Sequence, residues 1–134
     1  MVRTLGLAHI ALAVADLDRA FRFYKHVLGV VAVYRGDDFI QAQTPGAHDA
    51  IVFDRRPVSP ESKAGISHFG FRLRDPADIE SAIRSVTEAG GIILSQDEFC
   101  PGEPYVYFRD PDGYEVEIWY EPPTPVDQLS GPFV

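Results

Sequence analysis

Two histidines of the chain occupy equivalent positions in two similar stretches of sequence. Residues 6–16 (GLAHIALAVAD) align with residues 65–75 (GISHFGFRLRD), and this alignment places His9 over His68. A duplicated module would bring its equivalent positions close together across a pseudo-two-fold axis. Two imidazoles and one carboxylate are donors that divalent metals accept in proteins. The repeat therefore predicts a metal site that contains His9, His68 and one acidic side chain.

The acidic side chain is expected on the last predicted strand of the second copy. Side chains alternate between the two faces of a strand, so Glu115 and Glu117 share the face opposite their large apolar neighbours. By the same alternation, His9 and His68 lie opposite the apolar residues of their own strands. The neighbouring strand places Tyr107 on the face of the two glutamates. These side chains predict a polar cleft, in which either glutamate is the third ligand.

Each copy is predicted to contain a strand, a helix and three further strands. In the first copy, Asp16 is suited to cap the helix and Gly29 to end it in the left-handed conformation. In the second, Asp75 and Pro76 begin the helix, and Gly90 follows it. The expected segments are module one at about 5–54, a linker at about 55–64, module two at about 65–121 and a proline-rich tail at 122–134. One helix per module covers one sheet face, which predicts an α+β fold of two βαβββ modules around a metal-binding cleft.

The composition indicates one globular domain that does not bind polyanions. A chain of 134 residues is long enough to bury a core, and its net charge of −8 opposes binding to nucleic acid or anionic membranes. The single cysteine, Cys100, excludes an intrachain disulfide and suits a reducing compartment. No stretch has the length and hydropathy of a membrane span or signal peptide. We therefore expect a cytoplasmic protein, and the family resemblance described next implies a small-molecule substrate as its partner.

Three stretches of the chain resemble the vicinal oxygen chelate superfamily. They are AHIALAVADLDRAFRFYKHVLGV and SHFGFRL at the starts of the two modules, and VYFRDPDGYEVEIW at the end of the second. The superfamily includes glyoxalase I, methylmalonyl-CoA epimerase, extradiol dioxygenases, fosfomycin-resistance thiol transferases and bleomycin-binding proteins. The resemblance implies a homodimer in which His9, His68 and Glu117 bind a metal. The fourth ligand of the glyoxalases would fall within residues 50–52, where Ala-Ile-Val cannot coordinate, so the ion would keep open positions.

The segment YFRDPDGYEVE at residues 107–117 resembles the extradiol motif Y-x-x-D-P-x-G-x-x-x-E, which implies a catalytic role for Tyr107 beside the substrate. Extradiol enzymes also carry an acid–base histidine shortly before this tyrosine, and residues 98–100 contain none. The resemblance implies a divalent-metal enzyme for a substrate with two adjacent oxygens, of which an extradiol-type Fe(II) dioxygenase is favoured. The alternatives are a glyoxalase-like lyase or isomerase, a metal site that holds Mn, Zn or Ni, and a non-catalytic drug- or metabolite-binding protein of the bleomycin-resistance type.

Overall fold

The computed structural model describes Arg3, Leu7 and residues 9–57 and 68–123. The first module contains β1 (His9–Val14), α1 (Leu17–Leu28), β2 (Val31–Arg35), β3 (Phe39–Gln43) and β4 (Ala50–Arg55). The second contains β5 (Phe69–Arg72), a 3₁₀ turn (Pro76–Asp78), α2 (Ile79–Glu88), β6 (Ile92–Glu98), β7 (Pro104–Arg109) and β8 (Glu115–Trp119). Most of the predicted linker, residues 58–64, and most of the predicted tail, residues 124–134, lie outside the described residues.

Each module forms its own four-stranded mixed sheet. The strand orders are β1-β4-β3-β2 and β5-β8-β7-β6, so the two sheets have the same topology. The first strand of each module runs parallel to the last, and the remaining neighbours are antiparallel. The predicted α+β fold of two βαβββ modules is therefore confirmed.

The helix caps explain where the two helices begin and end. The Asp16 carboxylate accepts a hydrogen bond of 3.0 Å from the Arg19 amide, and Gly29 ends α1 with φ 70°. In the second module the Asp75 carboxylate accepts from the Ala77 amide at 2.9 Å. The first turn after Pro76 is 3₁₀ rather than α, and α2 follows directly. Neither helix in the described part of the chain is long and apolar enough to cross a membrane.

The two modules share one hydrophobic core. The apolar faces of both sheets and both helices contribute to a single cluster of buried side chains. Within it the Phe23 ring of α1 lies 6.1 Å from the Phe108 ring of β7, and the Tyr24 ring lies 5.2 Å from the Phe53 ring of β4. Burying one such ring stabilises the fold by roughly 1.5–3 kcal/mol. Since α1 packs on side chains from both modules, the relative position of the sheets is fixed by this core.

A turn between β7 and β8 ties the second module to the first. The Tyr24 hydroxyl of α1 donates a 2.7 Å hydrogen bond to Asp110. Asp112 accepts hydrogen bonds from the Arg19 guanidinium at 3.0 Å and from the Ala15 amide at 3.1 Å. The sequence predicts this turn, and the Gly113 amide closes it by donating to the Asp110 carbonyl at 3.0 Å. That this turn also connects the two modules is not predicted by the sequence and is seen in the structure.

Candidate functional site

Glu117 lies on β8, an inner strand of the second sheet. Its side chain is on the sheet face that points away from the shared core, which we call the outward face. Glu117 is paired across β8 with Gly70 of β5 on one side and with Tyr107 of β7 on the other. A Cβ added at Gly70 would lie 3.3 Å from both the carbonyl oxygen and Oε1 of Glu117. The absence of a side chain at Gly70 therefore leaves the space that the Glu117 carboxylate occupies.

The Glu117 carboxylate is buried although it lies on the outward face. Only 7% of the residue is exposed, and its Oε2 accepts no hydrogen bond from any described residue. A buried carboxylate oxygen without a donor costs free energy unless a cation or proton compensates it. Either a cation or a proton on this oxygen would compensate that cost.

Tyr107 lies next to this carboxylate, and His68 lies next to Tyr107. The His68 and Tyr107 rings meet edge to face, with centroids 5.2 Å apart. Hydrogen bonding to Glu117, followed by burial, raises the pKa of Tyr107 to about 12. The hydroxyl is therefore protonated at neutral pH and can donate a hydrogen bond.

His9 is not part of this group in the single chain. It is an exposed residue at the start of β1, on the first sheet, where it pairs with Ala50. Among the residues that the structure describes, no three His, Cys, Asp or Glu side chains lie close enough together to hold a metal ion. The structure thus brings His68, Tyr107 and Glu117 together and leaves His9 on another sheet.

The strand register defines which residues of the first module correspond to the site. Ala11 pairs with Val52 as Gly70 pairs with Glu117, so Val52 is the counterpart of the glutamate. Val52 also pairs with Gln41, which is therefore the counterpart of Tyr107. The valine side chain has no atom that could bind a metal. The first module therefore has no metal-binding side chain at the position that corresponds to Glu117.

Three further aromatic rings continue the site along the outward face. The Phe99 ring stacks on Tyr105 with centroids 4.2 Å apart, and it meets Trp119 edge to face at 5.2 Å. Tyr105 in turn lies 5.5 Å from Tyr107. No function was predicted from the sequence for Phe99, Tyr105 or Trp119. The alternation of aromatic residues at 105 and 107, opposite 119, was the signal that could have identified Tyr105 and Trp119.

A cavity of about 630 Å³ opens beside this face, between the modules. It is lined by apolar residues of β1, β4 and β5, including Ile10, Ile51 and Phe71. His9 and His48 also line it. The cavity therefore adjoins one of the predicted metal ligands.

Three relatives have a similar sequence. An uncharacterised protein of Pseudomonas aeruginosa is 33% identical over 125 residues, which cover 87% of this chain and 89% of the relative. The manganese-dependent 2,3-dihydroxybiphenyl 1,2-dioxygenase of Geobacillus genomosp. 3 is 28% identical, with 87% of this chain but only 37% of the dioxygenase covered. The metallothiol transferase FosB of Shouchella clausii is 26% identical, with 84% and 78% covered. The chain thus spans little more than a third of the dioxygenase.

A solved structure and a family model agree with these relatives. The glyoxylase/bleomycin resistance protein/dioxygenase domain from Frankia sp. EAN1pec superposes with a TM-score of 0.73 at 25% identity, covering 88% of this chain and 93% of that domain. The model of the Glyoxalase/Bleomycin resistance protein/Dioxygenase superfamily matches residues 6–118. With its paired βαβββ modules and this match over most of its length, the chain belongs to that superfamily.

Proposed function

We propose that this protein is a divalent-metal enzyme for a small substrate with two adjacent oxygens. The observation that carries the proposal is the buried Glu117 carboxylate, whose Oε2 has no hydrogen-bond donor among the described residues. His68 and Tyr107 lie beside it, so an imidazole and a neutral hydroxyl face the same space. An oxygen and a nitrogen donor so placed suit a divalent first-row metal.

In this proposal Glu117 and His68 hold the ion from the second module. Such an ion, when bound, would be chelated by both substrate oxygens and would stabilise the negative charge that develops on them. Because Val52, the counterpart of Glu117, cannot coordinate, positions on the ion stay open for substrate. The Tyr107 hydroxyl, which hydrogen-bonds to Glu117 in the described chain, would turn its proton to one substrate oxygen when an ion occupies the carboxylate.

We infer that the third ligand, His9, comes from a second copy of the chain. His9 is exposed on the first sheet, whereas Glu117 lies on the second. In the described chain β1 and β5 each pair with a single strand, so both present an open edge. A homodimer in which β1 of one protomer approaches β5 of its partner would complete two equivalent sites.

Within this class we favour an extradiol-type dioxygenase that uses Fe(II). The proposal is supported by the motif that spans residues 107–117 and by a relative named as a 2,3-dihydroxybiphenyl dioxygenase. A glyoxalase-like lyase or isomerase is the second candidate. It is favoured by one observation, since residues 98–100, which correspond to the stretch that carries the extradiol acid–base histidine, contain no histidine.

The test combines metal analysis with turnover. Protein loaded anaerobically with Fe(II) is expected to take up oxygen with one of a panel of catechols, and Glu117→Gln to lose both the iron and the uptake. Tyr107→Phe is expected to keep the iron and to lose roughly 10- to 1,000-fold in turnover, because one charge-stabilising donor is removed. Tyr34→Phe, at an exposed site on the first sheet, is the control.

Full iron occupancy without oxygen uptake for any catechol would contradict the dioxygenase. Turnover of the methylglyoxal–thiol hemithioacetal in that case would identify the lyase instead. A protein that binds aromatic compounds but turns over neither substrate would be a binding protein of the bleomycin-resistance type.

A further inference from the structure

Phe99, Tyr105 and Trp119 form one continuous surface, which we call the aromatic platform. Phe99 stacks on Tyr105 at 4.2 Å with an angle of 22° between the ring planes, and Trp119 meets Phe99 at 89°. Tyr105 and Trp119 are cross-strand partners on β7 and β8. Phe99 is 48% exposed, which is high for a phenylalanine. The platform therefore presents a ring to solvent above two supporting rings.

A tight turn holds Phe99 in this position. The Phe99 amide donates to the Glu103 carbonyl at 3.1 Å, and the Glu103 amide donates to the Cys100 carbonyl at 2.9 Å. Gly102 lies within this turn with φ 86°, a conformation that side-chain-bearing residues rarely adopt. The turn folds Phe99 back over Tyr105, so the exposed ring is fixed by the backbone.

The first module shows that the fold does not require the indole at position 119. By strand register, Phe39 is the counterpart of Tyr105, and Asp54 is the counterpart of Trp119. The first sheet therefore has the same topology with a carboxylate in place of the indole. An aromatic cluster that the repeated architecture does not need is better explained by binding.

The platform continues directly from the candidate metal site. The Tyr107 ring lies 5.5 Å from Tyr105 on one side and 5.2 Å from His68 on the other. Tyr105 and Tyr107 are two residues apart on β7, a rise of about 7 Å, which a compound with two linked or fused rings can span. One part of such a compound would reach Glu117 while the other lies on Phe99.

We propose that the aromatic platform binds a planar, uncharged ring of the substrate, next to the part that carries the reacting oxygens. The rings contribute stacking and edge contacts, which favour aromatic over saturated groups. Asp97, the cross-strand partner of Tyr105, is exposed beside the platform. Arg72, the cross-strand partner of Trp119, forms an ion pair with Glu121 at 3.5 Å, so the charge that remains beside the platform is negative and disfavours an anionic ring. That the bound ring belongs to a substrate rests on the function proposed above, whereas ring binding itself does not.

The single tryptophan of the chain makes the platform directly observable. In a ¹H–¹⁵N spectrum of the full chain treated with EDTA, the indole N–H of Trp119 gives one cross-peak. Titration with 2-naphthol, which lacks adjacent oxygens, is expected to shift this peak saturably. Decahydro-2-naphthol, its saturated counterpart, is expected to bind at least about fivefold more weakly, because it cannot stack.

Variants assign the binding to Phe99. Phe99→Ala is expected to weaken 2-naphthol binding by about 3- to 30-fold. Phe99→Leu, which keeps apolar area but no ring, is expected to weaken it by a similar factor. Phe39→Ala, at the equivalent position to Tyr105 on the first sheet and 40% exposed, is the matched control and is expected to bind normally.

Three outcomes of the titrations would overturn the proposal. They are an unshifted indole peak, equal binding of the saturated compound, and unchanged binding by both Phe99 variants in spectra that retain native dispersion. If Phe99→Ala instead converts a dimer to a monomer in size-exclusion chromatography, the platform is a contact between copies and the proposal is wrong. Because the probe needs no metal, a failure of the proposed enzyme activity would leave these results unaffected.

Discussion

At the scale of single residues, the contact between Gly70 and Glu117 determines whether the carboxylate keeps its position. A Cβ at Gly70 would lie 3.3 Å from Oε1, which is tighter than most carbon contacts. The equivalent residue of the first module is Ala11, which faces Val52 without difficulty. The strand therefore accepts alanine, and the glycine is required by the carboxylate beside it.

This contact predicts the effect of Gly70→Ala. The added methyl group is expected to displace the Glu117 carboxylate by a few tenths of an ångström and to weaken metal binding roughly 10- to 100-fold, the range for changes that misplace a ligand. Chelator competition measures the affinity. Ala11→Gly, the reverse change at the equivalent position, is the control. Unchanged affinity in Gly70→Ala would argue against Glu117 as a ligand.

At the scale of elements, the turn between β7 and β8 has the strongest polar contacts to the other module. Asp110 is 5% exposed and accepts hydrogen bonds from the Tyr24 hydroxyl and from the amides of Asp112 and Tyr114. Burial raises the pKa of Asp110, although these donors oppose the shift. Burial, together with the charge of Asp110, raises the pKa of Tyr24 well above 10.

The hydrogen bond between Tyr24 and Asp110 predicts a specific pH dependence of stability. Tyr24→Phe leaves a buried carboxylate oxygen without its donor and is expected to lower the free energy of unfolding at pH 7 by about 1–3 kcal/mol. Since the pKa of Tyr24 is higher in the folded state, its contribution is complete below pH 10 and decreases as the pH rises above that. The difference between wild type and variant should therefore shrink above pH 10.

Urea denaturation at pH 7 and at pH 10.5 measures this difference. Tyr34→Phe, in which the changed residue is 67% exposed, should show no difference at either pH. A constant difference between wild type and Tyr24→Phe across this range would mean that the hydroxyl titrates alike in the folded and unfolded chains.

The sequence predicts the helices and strands better than it predicts the contacts between them. Strand alternation correctly places Tyr107 and Glu117 on one face, because the period of two depends only on local geometry. The repeat predicts that His9 and His68 are equivalent residues. It does not predict whether one chain or two would supply them to the proposed site. Phe99 was missed because its position depends on the turn at Gly102, which folds it over Tyr105.

At the scale of the whole molecule, the two outward faces carry different parts of the proposed site. Glu117 and His68 are on the second sheet, and His9 is on the first. A site that draws on two protomers has a consequence that a site within one chain does not. When two variants that are each inactive form a mixed dimer, one of its two sites can regain its full set of ligands.

Mixing is therefore the test of the dimer. Neither His9→Ala nor Glu117→Gln should bind iron alone, but when unfolded together and refolded at equal concentration they should recover about a quarter of the wild-type sites. This follows because half of the dimers are mixed and one of their two sites is intact. Iron content and oxygen uptake both report the recovery. No recovery, from variants that each refold, would place all ligands within one chain.

The shared core also determines how the molecule responds to heat. Phe23 of α1 packs on Phe108, and Val86 of α2 belongs to the same buried cluster. Neither module can lose its helix without uncovering apolar side chains of the other, so we expect the described domain to melt as one cooperative unit. Loosening of α1, which carries none of the proposed ligands, would then remove the proposed metal site of the second module at the same temperature.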